Sequence, residues 1–405
     1  MNARQLAHRC LVEWNGGSDY AEDLFTRLQR EWDIGGSERG FARELFFGVL
    51  RNLSALDFII DRLTSRPPPL EPHAALQLGL YQLLILRTPA HAAVSETVDL
   101  VSKPQRGFVN GVLRRVTREA DQIEDQLARQ PDDIRLSHPQ FLLEKWETQY
   151  GRDAARRIAE WNNRPAEVFL RRNTLLPQTS LDDLEPTSHP LVFRSNGSLT
   201  EQLSGGGFYV QDPSTLVAVE LLAPQADERI LDACSAPGGK TSYLAALMGN
   251  EGKITATDCD ERRLRRLESN LQRLGVSNTT IIQQNWETTA VSQDPELYDA
   301  ILADVPCSNT GVMRRRIDVR WRLRPEVFSE LAVRQLAILT NILPHLRPGG
   351  RLVYSTCSID DCENEILVGS FLKKNPRLRL ADQKIRLPHL DNMDGCFAAL
   401  LVLDQ

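Results

Sequence analysis

The chain has 405 residues, 41% hydrophobic and 25% charged, with a formal net charge of −6. This length exceeds what one hydrophobic core usually supports, so we expect two or three domains. No apolar run reaches about 18 residues, and the N-terminus lacks the apolar core of a secretory signal, which excludes a membrane-spanning helix and predicts a cytoplasmic protein.

Residues 1–130 are predicted to form a helical bundle. Apolar residues recur at every third or fourth position in the segments 43–63, 75–86 and 94–101, which is the period of a helix with one buried face. Prolines separate these segments, and no strand-like alternation interrupts them. The pattern predicts six or seven helices.

A short region with a different pattern follows. A further helix is predicted in 135–151, with Pro139 near its start, and a strand in 167–173. Residues 174–207 are rich in Ser, Thr, Pro and Gly, which indicates either a small connecting subdomain or an irregular linker.

From residue 213 onward, strand and helix patterns alternate, as in a doubly wound α/β sheet. The predicted strands are 229–234, 253–258, 279–284, 298–304 and 350–357. Ligands of such sheets bind beyond the carboxyl ends of the strands. Four polar side chains fall at these ends, namely Cys234, Asp258, Asp304 and Cys357.

The segment ACSAPGGKT (233–241) follows the first of these strands and is rich in glycine, which lets a ligand approach the backbone closely. It lacks the GxGxxG pattern, and it is not a P-loop because Cys234 occupies the position of the first glycine. Asp258, 19 residues after Gly239, can bind a ribose hydroxyl pair. The alternative is a tight turn without a ligand. Together the loop and the Asp indicate an adenosine ligand without phosphate, for which S-adenosylmethionine (SAM) fits better than a nucleotide.

Two cysteines lie at neighbouring strand ends, Cys307 in DVPCS (304–308) and Cys357 in YSTCS (354–358). A thiolate that adds to carbon 6 of cytosine makes carbon 5 electron-rich, so that carbon 5 can take a methyl group. Asp304 can hold the N3 and amino edge of the base. The pattern predicts methyl transfer to an unstacked cytosine, with either cysteine as nucleophile. The alternative is that both thiols are inert and only pack.

The chain contains seven cysteines and no CxxC pair, which argues against a disulfide framework and a zinc site, so no metal is expected. Basic residues are concentrated locally, including six arginines between positions 314 and 324. Such clusters are ordinarily solvated faces. Because Arg314 and Arg315 follow the Cys307 motif closely, they are the predicted contacts to RNA phosphates.

Several motifs resemble those of the NOL1/NOP2/Sun family of RNA 5-methylcytosine methyltransferases. They are LDACSAPGGKT (231–241), ADVPCSNTGVMRR (303–315), YSTCS with Glu363-Asn364 beyond it, and DGCFAALL (394–401). In the N-terminal half, the segments 44–60, 78–100 and 107–115 resemble the NusB-like helical domain that occurs in this family. The resemblance covers nearly the whole chain apart from 174–207.

The resemblance implies three domains. They are an all-helical NusB-like RNA-binding domain (1–135), a small connecting subdomain (136–212) and a C-terminal Rossmann-like SAM-dependent methyltransferase domain (213–405). It implies a bacterial enzyme that methylates a cytosine of small-subunit ribosomal RNA. We expect a monomer with RNA as partner, and no DNA or membrane partner.

The resemblance also assigns roles to individual residues. Cys357 is implied as the nucleophile, Cys307 as the residue that assists product release, and Asp304 as the acid at the fourth strand end. The implied SAM-binding residues are Cys234, Ser235, Ala236, Pro237, Gly238, Gly239, Lys240, Asp258, Asn285 and Asp304. Asn285 stands where the family has Asp, and an amide can still accept and donate hydrogen bonds.

Two other functions are compatible with these motifs. A related methyltransferase could act on tRNA, which only the NusB-like domain disfavours. An RNA-binding assembly factor could have lost catalysis, against which Lys240, Asp304 and both strand-end cysteines argue. Detectable binding of SAM separates an enzyme from such a factor.

Overall fold

The computed structural model describes residues 2–176, 180–195, 199–289 and 295–405. The chain packs as two compact units, which are Met1–Arg164 with Met313–Arg322, and Pro165–Val312 with Leu323–Gln405. No helix in the described ranges is long and apolar enough to cross a membrane. The domain boundaries expected after residues 135 and 212 stay predictions.

The helices of the described residues are α1 (Ala3–Gly16), α2 (Ala21–Glu31), α3 (Gly36–Arg51), α4 (Leu53–Leu63), α5 (Leu70–Leu80), α6 (Ala90–Val98), α7 (Lys103–Ala128), α8 (Asp132–Arg135), α9 (Gln140–Tyr150), α10 (Arg152–Asn162), α11 (Leu199–Ser204), α12 (Val217–Leu222), α13 (Gly239–Leu247), α14 (Glu261–Arg273), α15 (Val319–Arg322), α16 (Pro325–Ile342), α17 (Glu365–Lys374) and α18 (Pro388–Asp391).

The strands of the described residues are β1 (Phe169–Arg172), β2 (Leu184–Pro186), β3 (Val192–Ser195), β4 (Phe208–Val210), β5 (Arg229–Asp232), β6 (Lys253–Asp258), β7 (Thr279–Gln283), β8 (Tyr298–Asp304), β9 (Leu346–Thr356), β10 (Leu378–Arg386) and β11 (Cys396–Leu403).

The first unit is helical, which confirms the predicted bundle. The apolar faces of α1 to α7 meet in one core, where Leu6, Leu45 and Leu76 have no exposed surface. Gly48 on α3 lets a neighbouring element come close, because a Cβ at this position would lie 2.1 Å from the ring of Tyr81. Burial of these regularly spaced apolar faces is what stabilises the helices.

Residues 313–322 belong to this helical unit, although they follow the Cys307 motif in the sequence. Ile317 is part of the helical core. The guanidinium of Arg320 is fully buried and donates hydrogen bonds to the carbonyl oxygens of Ser137 and Asn162, both at 3.1 Å, and to Asn163 Oδ1 at 2.7 Å. Further hydrogen bonds join Asp318 to Ala21, Trp321 to Leu50 and Arg322 to Ser18.

The second unit contains a sheet that, within the described residues, has seven strands in the order β10-β11-β9-β8-β5-β6-β7. The pairings among β5 to β9 are all parallel, while β11 pairs antiparallel with β9 and β10. This confirms the predicted α/β sheet, and β10 and β11 extend it. The strand order reverses between β5 and β8, which is where ligands bind in such sheets.

A smaller antiparallel sheet, in the order β2-β3-β1-β4, precedes it in the chain. The predicted strand at 167–173 corresponds to β1. The structure shows that β2 and β3 lie in the region for which the sequence left a choice between a connecting subdomain and an irregular linker, so the linker interpretation is wrong for the described part. Residues 177–179 and 196–198 of this region lie outside the described residues.

Candidate active site

Three carboxylates mark the carboxyl ends of neighbouring strands, with Asp232 ending β5, Asp258 ending β6 and Asp304 ending β8. Parallel strands are buried on both faces, so each carboxylate stands where its strand leaves the apolar core. Lys240, in the first turn of α13, donates a hydrogen bond to Asp304 Oδ2 at 2.7 Å. Burial alone would lower the pKa of the Lys240 ammonium. The charge and hydrogen bond of Asp304 have the larger combined effect, so the pKa is raised.

Asp232 is completely buried, and the sequence analysis did not assign it to the site. Its Oδ2 accepts a hydrogen bond from Thr241 Oγ1 at 2.7 Å, whereas its Oδ1 has no partner within the described ranges. Burial, followed by the charges of Asp304 and Asp258, raises the pKa of Asp232 to about 7. Its place at a strand end beside the glycine-rich loop is the signal that could have identified it.

The 233–240 loop is held closely against its surroundings. Gly238 has φ 103°, in the left-handed region, and a Cβ at this position would lie 2.7 Å from Cδ1 of Leu267. Asn270 of α14 donates a hydrogen bond to the carbonyl oxygen of Pro237 at 2.9 Å. The backbone of the loop is therefore fixed before any ligand binds.

Asp258 is buried at the end of β6, and its carboxylate orders the next turn. Its Oδ2 accepts from the Ala236 N–H at 3.3 Å and lies 3.3 Å from Nη1 of Arg263. Its Oδ1 accepts from the Asp260 N–H at 3.1 Å. Asp260 caps α14, accepting from the N–H groups of Arg262 and Arg263, so Asp258 is not the N-cap. Its carboxylate retains lone pairs for a ligand.

Cys234 lies among the three strand-end carboxylates. Burial, and then the charges of Asp304, Asp232 and Asp258, raise the pKa of its thiol well above the ordinary value. The thiolate form is therefore disfavoured here, and Cys234 acts as a small neutral side chain.

Cys307 and Cys357 meet, as their positions at neighbouring strand ends predicted. Their sulfur atoms are 3.1 Å apart, and both are free thiols. Cys357 is half-buried and its thiol donates a hydrogen bond to Asn309 Oδ1 at 3.2 Å. The hydrogen bond with Cys357, together with burial, raises the pKa of the buried Cys307 well above the ordinary value.

A buried polar network holds the two cysteine loops together. The carboxylate of Glu363 accepts hydrogen bonds from the Ser308 N–H at 3.0 Å, from the Ser308 hydroxyl, and from Gln335 Nε2 at 2.8 Å. Thr310 Oγ1 donates to Asp360 Oδ2 at 2.6 Å. Ser308, Thr310 and Gln335 were missed by the sequence analysis because their partners are distant in the chain.

Two glycines pass behind Cys357 with almost no space between their backbones. The Gly311 N–H donates to the carbonyl oxygen of Cys357 at 2.9 Å, and the Gly395 N–H donates to that of Gly311 at 2.7 Å. A Cβ at Gly311 would lie 2.5 Å from the Gly395 oxygen and 2.8 Å from the Cys357 oxygen. A Cβ at Gly395 would in turn lie 2.8 Å from the Gly311 Cα, which explains why DGCFAALL has a glycine in its second position.

The third strand end carries Asn285 and Trp286. Asn285 is exposed, and its Oδ1 accepts from the Glu287 N–H at 2.9 Å. Trp286 is buried and donates from Nε1 to Thr257 Oγ1 at 2.8 Å. A contact between Asn285 and an adenine ring stays a prediction. No group of three or more potential metal ligands occurs within the described ranges.

Comparison with known proteins agrees with this geometry. Family models match residues 1–118 (NusB family), 138–184 (ferredoxin-like domain of RsmF/B-like methyltransferases) and 219–402 (16S rRNA methyltransferase RsmB/F). The chain is 36% identical to ribosomal RNA small subunit methyltransferase B of Erwinia tasmaniensis, over 91% of each chain. The chain belongs to the RsmB/F family of 16S rRNA methyltransferases.

Two further relatives extend this result. Ribosomal RNA small subunit methyltransferase B of Salmonella arizonae is 34% identical over 99% of this chain and 98% of its own. The crystal structure of PH0851 has a TM-score of 0.79 with 22% identity and 99% coverage of both chains, which shows a shared fold. Membership in the RsmB/F family confirms the predicted domain types and the prediction of a SAM-dependent RNA methyltransferase.

Arg314 and Arg315, the predicted phosphate contacts, lie in the helical unit. Arg314 is only 3% exposed, and its guanidinium lies 4.4 Å from the ring centre of Trp161. Arg315 is half-buried. Arg314 would have to leave Trp161 to reach a phosphate, so a role for these arginines in RNA binding stays a prediction.

Proposed function

We propose that this protein transfers a methyl group from SAM to carbon 5 of a cytosine in 16S rRNA, with Cys357 as the nucleophile. The observation that carries the proposal is the pair of thiols 3.1 Å apart at the ends of adjacent parallel strands, one of which carries Asp304. Membership in the RsmB/F family supports small-subunit rRNA as the substrate. We expect the protein to act as a cytoplasmic monomer.

The residues at the strand ends fit SAM, which carries a positive sulfonium, an amino group and a ribose but no phosphate. Asp304, paired with Lys240, and Asp258, paired with Arg263, both act on the thiol of Cys234, so the strand ends offer carboxylate oxygens that can accept hydrogen bonds from the amino group and the ribose hydroxyls. In the proposed complex Asp258 binds the ribose hydroxyls, the 234–240 backbone lies along the ligand, and Asn285 contacts the adenine. When bound, SAM supplies an electrophilic methyl group.

The electrostatic surroundings favour Cys357 over Cys307 as the nucleophile. Cys307 stays a neutral thiol, since its pKa is raised well above the ordinary value by the hydrogen bond with Cys357 and by burial. The pKa of the Lys240 ammonium is influenced most by burial, which lowers it, and by Asp304, which raises it. The charge of Cys357 raises the same pKa further. Lys240 and a Cys357 thiolate therefore stabilise each other.

In the proposed reaction, the Cys357 thiolate bonds to carbon 6 of the cytosine, which makes carbon 5 electron-rich. Carbon 5 then bonds to the methyl carbon as the bond between that carbon and the sulfonium sulfur breaks, and the sulfur leaves with the bonding electrons as a neutral thioether. Asp304 accepts a hydrogen bond from the amino group of the base and orients it. A base then removes the carbon 5 proton, and the electrons of that C–H bond re-form the double bond and expel Cys357.

In this proposal Cys307 removes the carbon 5 proton. Once Cys357 is bonded to carbon 6, its hydrogen bond and charge no longer raise the pKa of Cys307, and only burial and the charge of Glu363 still do. Cys307 can then lose its own proton to solvent and act as a base. This order of events gives the two thiols different roles although they lie side by side.

Trapping the covalent complex tests the proposal. Cys307→Ala, Cys357→Ala and wild-type proteins are incubated with SAM and unmodified small-subunit rRNA, then separated on denaturing gels. Cys307→Ala should give a protein–RNA band that requires SAM, because the nucleophile remains but release is blocked. Cys357→Ala should give none. Cys259→Ala, which removes an exposed thiol, is the matched control and should behave like wild type.

Other outcomes would contradict this assignment. A band with Cys357→Ala alone would reverse the roles of the two cysteines. Methyl transfer to tRNA but not to small-subunit rRNA would identify a different substrate. If the wild type transfers no methyl group to either RNA and does not bind SAM in calorimetry, the protein is a binding factor rather than an enzyme.

A further inference from the structure

The exposed face of α14 carries a stripe of arginines that the proposed reaction does not use. The helix has the sequence ERRLRRLESNLQR and buries Leu264, Leu267 and Leu271. Four arginines of this helix line one shared surface depression, namely Arg262, Arg265, Arg266 and Arg273. Because the whole chain carries a net charge of −6, this local concentration of positive charge stands out against an acidic background.

These arginines line a surface cleft of about 610 Å³, which we call the α14 cleft. Tyr209 and Val210 of β4 and Leu203 of α11 also line it, and Val210 is 45% exposed on an edge strand of the small sheet. Pro237 of the 233–240 loop completes the lining, so the cleft adjoins the loop proposed to bind SAM. The α14 cleft thus combines positive charge, an aromatic ring and an apolar edge.

The positive charges in the cleft are available to a ligand. Arg262 is paired with Asp260 at 3.4 Å and Arg265 with Glu261 at 2.6 Å, and the two arginine side chains are 83% and 62% exposed. Exposed ion pairs of this kind are weak, so a phosphate can readily replace the carboxylate as the partner of the arginine. Arg266 has no hydrogen-bond or ion-pair partner in the described part of the chain.

The walls of the cleft are held in place by hydrogen bonds. Nη1 of Arg273 donates to the carbonyl oxygens of Leu203 and Phe208, both at 3.1 Å, which ties α14 to α11 and β4. Asn270 ties the same helix to the carbonyl oxygen of Pro237 at 2.9 Å. A surface that is already ordered loses little conformational entropy when it binds a ligand.

We propose that the α14 cleft binds the single-stranded RNA that flanks the target cytosine. Arg262 and Arg266 contact phosphates, and the half-buried ring of Tyr209, where it lines the cleft, is the surface on which a base stacks. Basic side chains beside an aromatic ring are the features with which proteins bind single strands. The volume of the cleft lies within the range of about 300–1,000 Å³ typical of sites for small ligands, which is enough for a nucleotide. This inference rests on the proposed function and adds the surface that holds its substrate.

The test reverses two charges in the cleft and compares them with two charges elsewhere on the same unit. The test variant is Arg262→Glu/Arg266→Glu. The matched control is Arg379→Glu/Lys384→Glu, which makes the same charge change at exposed positions of β10. Binding of a fluorescently labelled, unmodified small-subunit rRNA fragment is measured by anisotropy over a salt series, and SAM affinity is measured by calorimetry.

The cleft variant should bind RNA about tenfold more weakly at physiological salt. Loss of two phosphate contacts should also reduce the slope of log K against log salt by about 1.4, since each contact to a single strand contributes about 0.7. SAM affinity and kcat at saturating RNA should match the wild type, and the control should keep the wild-type salt slope. If the reversed charges unfold α14, Arg262→Gln/Arg266→Gln should still give the reduced slope.

Three results would overturn the inference or its basis, and they are distinguishable. Equal RNA affinity and salt slope in the cleft variant and the control, with an active wild type, would refute the α14 cleft alone. Loss of binding to an acidic ribosomal protein, with RNA binding retained, would make the cleft a protein-docking site instead. A wild type that neither binds nor methylates rRNA would refute the proposed function itself.

Discussion

Replacing Gly311 by alanine should disable the active site while leaving the rest of the fold intact. The added methyl group would lie 2.5 Å from the Gly395 oxygen and 2.8 Å from the Cys357 oxygen. All of these obstacles are backbone atoms, so no side chain can rotate away to make room. The backbones of Gly395 and Cys357 both have to move away from Gly311.

The size of that movement follows from the distances. Ordinary van der Waals contact begins near 3.4 Å, so the Gly395 oxygen would have to retreat by about 0.9 Å and the Cys357 oxygen by about 0.6 Å. Overpacking of this kind destabilises a domain by about 1–3 kcal/mol. A displacement approaching 1 Å at a reacting group can lower the rate by about 100-fold. We therefore expect kcat to fall by one to two orders of magnitude.

The assay is transfer of a labelled methyl group to small-subunit rRNA at saturating SAM and RNA, with thermal unfolding followed in parallel. The Tm should fall by about 2–10 °C, as expected for a unit of this size. Gly369→Ala is the matched control, because Gly369 lies in α17 and no atom lies within 4 Å of its would-be Cβ. Alanine favours a helix over glycine by about 0.5–1 kcal/mol, so the control should keep its activity and should keep or slightly raise its Tm.

A Gly311→Ala protein with the wild-type kcat would refute the reasoning. It would show that the close approach of Gly311 to the Cys357 carbonyl does not position the thiol. A large loss of Tm with unchanged kcat would separate the two effects and assign Gly311 to stability alone.

Three further variants test the buried groups. Folding raises the pKa of Asp232 from 3.8 to about 7, so its ionisation disfavours the folded state as pH rises through this window. Asp232→Asn should therefore become more stable relative to wild type as the pH rises from about 4 to 7. The difference in the free energy of unfolding should reach on the order of 4 kcal/mol and stay constant at higher pH. A difference in Tm that does not depend on pH would contradict this. Glu363→Gln places an amide N–H₂ among the N–H and O–H donors of Ser308 and Gln335, which leaves donors facing donors. The Tm should fall by the equivalent of about 1–3 kcal/mol, and kcat should fall with it. An unchanged Tm in calorimetry would argue against the network. Arg320→Lys loses the fork that serves three oxygens and should lower Tm by a similar amount, while Arg39→Lys on the exposed surface of the same unit should have no effect.

Much of the catalytic unit was predictable because its signals are local. The apolar runs that become β6 and β8 end at Asp258 and Asp304 in the structure, as the sequence predicted, since a charged residue seldom continues a strand buried on both faces. Asp260, two residues beyond the end of β6, is the N-cap of α14, a position that favours Asp for the same local reason. The helical bundle followed from its period in the same way.

The strands that the sequence analysis missed depend on partners that are distant in the chain. β2 and β3 are short and lie in a stretch rich in turn-forming residues, so they form only by pairing with each other and with β1. β11 pairs with β9, about 40 residues earlier, and β10 in turn pairs with β11. Pairing of this kind leaves little trace in the local pattern of residues.

The sequence by itself determined the class of fold, the family motifs and the strand ends at which the candidate catalytic residues stand, because these depend on periodicity and on residue type. Only the tertiary structure decided how those residues act on one another. It placed the sulfur atoms of Cys307 and Cys357 at 3.1 Å, and it put Arg314 against Trp161 rather than in solvent. Distances, burial and the pKa shifts that follow from them arise from segments that meet only when the chain has folded, so no single stretch of the sequence could supply them.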